Sequence, residues 1–185
     1  MRVSVIGSSG SGKSTFARRL AGALGCPHVE LDAINWQPGW RGLHEDDPAE
    51  FVRRAAAALA GEAWVTDGNY GVVRPTILAR ATDLVWLDYP RPLVMARVIR
   101  RSFLRALGGR ELWPGTGNTE DFRRWLQKDH PIRWAWDTFD RRRRRCSRRF
   151  SPPLPDAQRG GEVGRGPARV TPNAPDESPR ALDPA

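Results

Sequence analysis

Short apolar runs alternate with amphipathic stretches over the first 150 residues, and the alternation stops there. Residues 3–6 (Val-Ser-Val-Ile) form a strand-length segment closed by Gly7. Phe16, Leu20 and Leu24 recur every fourth position, which predicts a helix over 13–24. A weaker strand is expected over 28–31, ending at Asp32. A helix over 48–59 follows, opened by Asp46-Asp47 with Pro48 in its first turn. Further strands at 63–66 and 83–88 are stopped by Asp67-Gly68 and Pro90. A long helix over 92–107, a Gly/Pro-rich loop over 108–118 and a largely helical segment over 121–145, around Pro131, complete the pattern. This alternation predicts an α/β fold with a parallel sheet flanked by helices.

Residues 151–185 break the rhythm. All eight Trp, all six Phe and both Tyr lie at or before Phe150, and the last 35 residues hold half of the 16 prolines. Too little apolar surface is present there to offset the entropy of ordering. The expectation is a domain over 1–150 and a disordered Pro/Gly-rich tail over 151–185.

Charge changes the picture only slightly. The formal net charge of +9 suggests phosphate-bearing partners. Yet 28 of the 30 cations are arginine, beside plentiful Ala, Gly and Pro, so the balance is weak evidence for nucleic acid. Two cysteines exclude a disulfide framework. No apolar run approaches a membrane span, and the first residues lack the layout of a signal peptide, so a cytoplasmic protein without a membrane partner is expected. His28, His44, His130 and the cysteines show no metal-ligand spacing.

One motif carries chemistry by itself. Gly7-Ser8-Ser9-Gly10-Ser11-Gly12-Lys13-Ser14, followed by Thr15, matches G-x-x-x-x-G-K-[ST] in full, after a predicted strand and at the start of a predicted helix. Glycines let successive N–H groups turn towards phosphate oxygens, and the helix N-terminus adds partial positive charge. Lys13 is suited to the β- and γ-phosphates of ATP, and Ser14 offers a hydroxyl to Mg²⁺. The Asn-Lys-x-Asp motif of GTPases is absent, since neither lysine follows an asparagine.

Four stretches extend the likeness: VIGSSGSGKST at 5–15, HVELDAINW at 28–36, WVTDGNY at 64–70 and VWLDYPRPLVMARVIRR at 85–101. Together with ELW at 111–113 and the arginine cluster at 141–145, they resemble the adenylate-kinase-related P-loop proteins known as DNA topology modulation proteins, over about residues 1–150. The resemblance implies a small P-loop kinase fold with a helical lid and an unassigned phosphate acceptor. Such folds order their parallel strands 2-3-1-4-5. No stretch from 151 to 185 runs apolar, so the order expected is 2-3-1-4 with the fifth strand missing.

The resemblance also implies roles. Asp67-Gly68 is similar to the Asp-Gly that opens a motif of adenylate kinases, which makes Asp67 a candidate support for Mg²⁺; a turn aspartate before glycine is the alternative. Asp32 is either a carboxylate that orients or deprotonates the acceptor hydroxyl, or a cap. Trp36 and Trp40, in a following loop with Arg41, either line an acceptor pocket or staple the loop. Arg97 and Arg101, four residues apart, resemble the arginines that neutralise a transferred phosphoryl group. Seven arginines between Arg141 and Arg149 need a counter-ion, whether triphosphate, phosphorylated acceptor or non-specific nucleic acid.

The expectation is therefore an ATP- and Mg²⁺-dependent phosphotransferase acting on a small, possibly nucleotide, acceptor. Lys13, Arg97, Arg101 and Asp32 carry the catalysis in that reading. A nucleic-acid-associated regulator and a nucleotide-binding protein without turnover are the alternatives.

Overall fold

The computed structural model describes residues 1–122, 125, 130–150 and 169–170. Strand β1 (Arg2–Gly7) runs through the phosphate loop into α1 (Lys13–Leu24), and β2 (His28–Glu30) follows. The chain then makes α2 (Leu31–Asn35), a hairpin of β3 (Trp36–Gln37) and β4 (Arg41–Gly42), α3 (Leu43–Asp46) and α4 (Pro48–Ala58). Next come β5 (Trp64–Asp67), α5 (Arg74–Arg80), β6 (Asp83–Leu87), α6 (Arg91–Gly108), α7 (Pro131–Phe150) and β7 (Arg169–Val170).

The main sheet has the order β2-β5-β1-β6-β7, and every pair in it is parallel. Among the described residues, helices cover both of its faces. On one, Ala17 and Ala21 of α1 pack against Val3, Val5 and Val65. The small alanines let the helix press close to the sheet. Around the outer strands, Trp64, Phe51, Leu59, Val73 and Ile77 close a second cluster. The register sets Asp67 opposite Val5 and Leu87 opposite Gly7, so three strands end together beneath the loop. That shared carboxyl edge is where α/β sheets hold ligands.

Several boundaries differ from the pattern-based expectation. The order 2-3-1-4 holds, but the fifth strand is present: Arg169–Val170 pairs in parallel with Trp86 and Leu87. It is two residues long, which is why no apolar run announces it. The remainder of the expected tail, 151–168 and 171–185, lies outside the described residues.

Asp32 does not end β2. It stands in the first turn of α2, because that turn buries Leu31 and Asn35, four residues apart, on one side. The loop expected around Trp36 and Trp40 is the β3–β4 hairpin, with a 3-10 turn over Pro38–Trp40. Pro131 starts α7, as suits a residue without an N–H to donate. Most of the first part of the expected helical segment, over 121–130, lies outside the described residues. No described helix is long and apolar enough to cross a membrane.

Candidate functional site

The phosphate loop is shaped by two glycines with positive φ. At Gly10 (φ 86°) a Cβ would stand 2.7 Å from the Val94 carbonyl oxygen and 3.0 Å from Val98 Cβ. The missing side chain thus lets α6 press against the loop. Gly12 (φ 85°) caps α1 and meets nothing within 4 Å, so conformation alone demands it. Lys13 Nζ donates to the Ser8 carbonyl at 2.9 Å, folding the side chain back over the loop. Burial lowers the Lys13 pKa from 10.5 to about 8, and Arg142 adds to that effect. Asp32 and Asp67 oppose it, and Arg101 weakly reinforces it. Two carboxylates and two guanidinium groups therefore converge electrostatically on this one ammonium.

Asp67 is 3% exposed and fully engaged. Ser14 Oγ donates to its Oδ2 at 2.6 Å, and His28 Nε2 sits 2.7 Å from its Oδ1. Asn69 Nδ2 donates to the Gly7 carbonyl at 2.6 Å and ties the β5 edge to the loop. A hydroxyl and a carboxylate in contact, level with a phosphate loop, are hard oxygen donors of the kind Mg²⁺ takes together with substrate phosphates. The residues present therefore fit that cation.

A second group of side chains closes a ring beside α2. Tyr70 donates its hydroxyl to Asp32 Oδ1 at 2.6 Å. Burial, with the Asp32 charge next, drives the phenol pKa well above its usual value, so Tyr70 stays a donor. The Tyr70 ring meets His44 at 5.1 Å, His44 meets Trp36 at 6.3 Å, and Trp36 stacks on Trp113 at 6.2 Å. Trp113 also lies close enough to the Glu30 side chain, two residues before Asp32, to favour its charged form slightly. Trp40 stands edge-on to both indoles, and Asn118 holds the hairpin by accepting from the Trp40 N–H and donating to the Gln37 carbonyl. Burial raises the Glu30 carboxyl pKa, and Asp67 and Asp32 raise it further.

No family model matches the chain, and no curated protein matches it. Solved structures similar to it include three described as kinases. A gluconokinase from Sinorhizobium meliloti is 25% identical over 54% of this chain, with a TM-score of 0.41; the chain spans 63% of that protein's length. A putative fructose transport system kinase from a Silicibacter species is 22% identical over 55% of this chain and 71% of its own, with a TM-score of 0.39. A sugar kinase from a Janibacter species is 22% identical over 75% of this chain and 93% of its own, also at 0.39.

The arginines separate into distinct settings. Arg97 lies exposed, with its guanidinium 4.4 Å above the Tyr89 ring. Burial lowers the Arg101 pKa, and Arg105 lowers it further; Glu120, Asp32 and Glu30 act in the opposite direction. Arg101 Nε has no hydrogen-bond partner among the described residues. Burial would raise the Glu120 carboxyl, yet the hydrogen bond with His130, at 2.8 Å, helps hold it below its usual value. On α7, Arg143 pairs with Asp88 through Nε at 2.9 Å and Nη2 at 3.3 Å. Arg141, Arg142 and Arg143 line a cleft of about 290 Å³ together with Gly7, Ser8 and Asn69.

The fold thus gathers Lys13, Ser14, Asp67, Asp32 and Arg101, which sequence reasoning had singled out. It adds His28, Asn69, Tyr70, Trp113 and Arg142. Each of these lies in a stretch that carries the resemblance, His28 in 28–36, Asn69 and Tyr70 in 64–70, Trp113 in 111–113 and Arg142 in 141–145, but no motif of its own singles it out.

Proposed function

We propose that the protein is a Mg²⁺- and ATP-dependent phosphotransferase acting on a small hydroxyl-bearing acceptor. One observation carries this reading: Asp32, anchored by Tyr70, shares an electrostatic neighbourhood with the half-buried lysine of the phosphate loop. An ATPase needs only a positioned water, whereas a held carboxylate beside an aromatic ring suits an acceptor molecule.

In this mechanism the loop N–H groups and Lys13 bind the triphosphate, with Lys13 exchanging the Ser8 carbonyl for phosphate oxygen. Ser14 and Asp67 would hold Mg²⁺, which would offset negative charge on the triphosphate. His28 and Ser14 fix the two Asp67 oxygens. Asp32 accepts the proton of the acceptor hydroxyl as its oxygen attacks the γ-phosphorus. Arg101 and Arg142 offset the charge on the transferred group. The inward-facing part of the arginine run is thereby assigned to the triphosphate, not to nucleic acid.

The test is a panel of hydroxylated and phosphorylated small molecules incubated with γ-labelled ATP. Label is expected in a product other than free phosphate. Asp32→Asn should lower transfer by about 10²- to 10⁴-fold while the ATP-induced rise in melting temperature is kept. Label released only as free phosphate, with Asp32→Asn equal to the parent, would overturn the reading.

A further inference from the structure

The ring beside α2 bears on what the acceptor is. Its wall is made by Trp36, Trp40 and Trp113, which contact one another and remain only half-buried. The contrast within the chain is direct: Trp64 and Trp86, which serve the core, are 1% and 4% exposed. A staple under a loop would bury its indoles in the same way. These three instead present ring surface at the edge of the site.

The polar groups on the ring are hydrogen-bonding and negative. Asp32 and Glu30 are two residues apart, and Asp67 is close enough to both to matter electrostatically. Part of the nearby positive charge is set against these carboxylates. Arg101 lies near enough to Asp32 and Glu30 to feel their charge, and the exposed Arg18 reaches Glu30 Oε2 at 3.9 Å. Arg141, Arg142 and Arg143 line the cleft beside Gly7 and Ser8, where a triphosphate would use them. An acceptor with its own phosphate or carboxylate would thus enter a field that is at best neutral. Like charges brought together there are costly.

Resting on the phosphotransferase reading, we propose that the acceptor is an uncharged polyhydroxylated molecule. Its C–H faces would lie on the indole wall, and its hydroxyls would bond Asp32 and Glu30 at the rim. Such a ligand is apolar on its faces and rich in donors at its edge, which is the division this ring presents. One hydroxyl oxygen forms the new bond to the γ-phosphorus, the bond to the β-phosphate oxygen breaks, ADP leaves, and the hydroxyl proton passes to Asp32.

The experiment runs two arms with γ-labelled ATP and the full chain. One holds D-glucose, D-fructose, D-ribose and glycerol; the other holds AMP, ribose 5-phosphate and D-gluconate. Label in at least one neutral compound, at a kcat/KM at least tenfold above every anionic one, is the expected result. With that neutral compound, Trp113→Ala should raise the acceptor KM at least tenfold with the ATP KM unchanged, and Trp113→Phe should recover most of the loss. Preferred transfer to an anionic compound overturns the proposal and leaves the phosphotransferase reading standing. Release of free phosphate alone in both arms overturns both. A Trp113→Ala variant with parental KM for the neutral acceptor removes the indole wall from recognition and overturns the proposal.

Discussion

The Ser14 hydroxyl donates to Asp67 Oδ2 across 2.6 Å, joining the first turn of α1 to the end of a strand 53 residues later. Neither group is placed by its own neighbours in sequence. The parallel pairing of β1 with β5 brings Asp67 level with Val5, and the phosphate loop then carries Ser14 over it. His28 holds the other oxygen from β2. Each Asp67 oxygen thus faces a different element of the fold.

Asp67→Asn tests this contact. Nucleotide affinity is expected to fall about tenfold or more in the presence of Mg²⁺ and to change little in its absence. Titration of ATP with and without Mg²⁺ separates the two. An equal loss under both conditions would assign Asp67 to the fold of the loop and not to the metal.

Lys13 makes a pH-dependent prediction. Its pKa of about 8 lies below its usual 10.5, so above pH 8 the free protein holds more of the neutral amine. A triphosphate pairs with the ammonium. Binding should therefore take up a proton, and affinity should drop by up to about tenfold per pH unit above 8. Calorimetry in buffers of different ionisation enthalpy reads the uptake directly. The sign for stability is the reverse: between pH 8 and 10.5 the unfolded chain binds more protons at this site. Over that range the parent should gain stability relative to Lys13→Met.

Gly10 and Gly12 predict unequal costs for one chemical change. At Gly12 alanine meets only the left-handed backbone penalty, about 1–2 kcal/mol. At Gly10 alanine adds a collision with the Val94 carbonyl, which must move α6 or the loop. Gly10→Ala should be more destabilising by about 1–3 kcal/mol. Urea unfolding of the two variants checks the order.

The fifth strand predicts the effect of truncation. A chain ending at Phe150 loses the pairing of Arg169–Val170 with Trp86 and Leu87. Its melting temperature should fall by about 3–6 °C relative to a chain ending at residue 172. Equal melting temperatures would show that β7 adds nothing to the sheet.

The sequence alone determined the phosphate loop, strand β1 and helix α1, and the parallel α/β plan. Those features are contiguous: Gly10, Gly12, Lys13 and Ser14 act through backbone conformation at fixed spacing, and Phe16, Leu20 and Leu24 advertise one helical face. The tertiary structure alone decided what surrounds them. Tyr70 reaches Asp32 across 38 residues, and Trp113 joins Trp36 from beyond α6, so no local period could mark either. Strand β7 is two residues long, too short for alternation to show. Arg142 is indistinguishable from its neighbours in the arginine run until α7 turns it towards Lys13. Local conformation is written in neighbouring residues, whereas a site assembled from separate strands and helices exists only once the sheet has set their register.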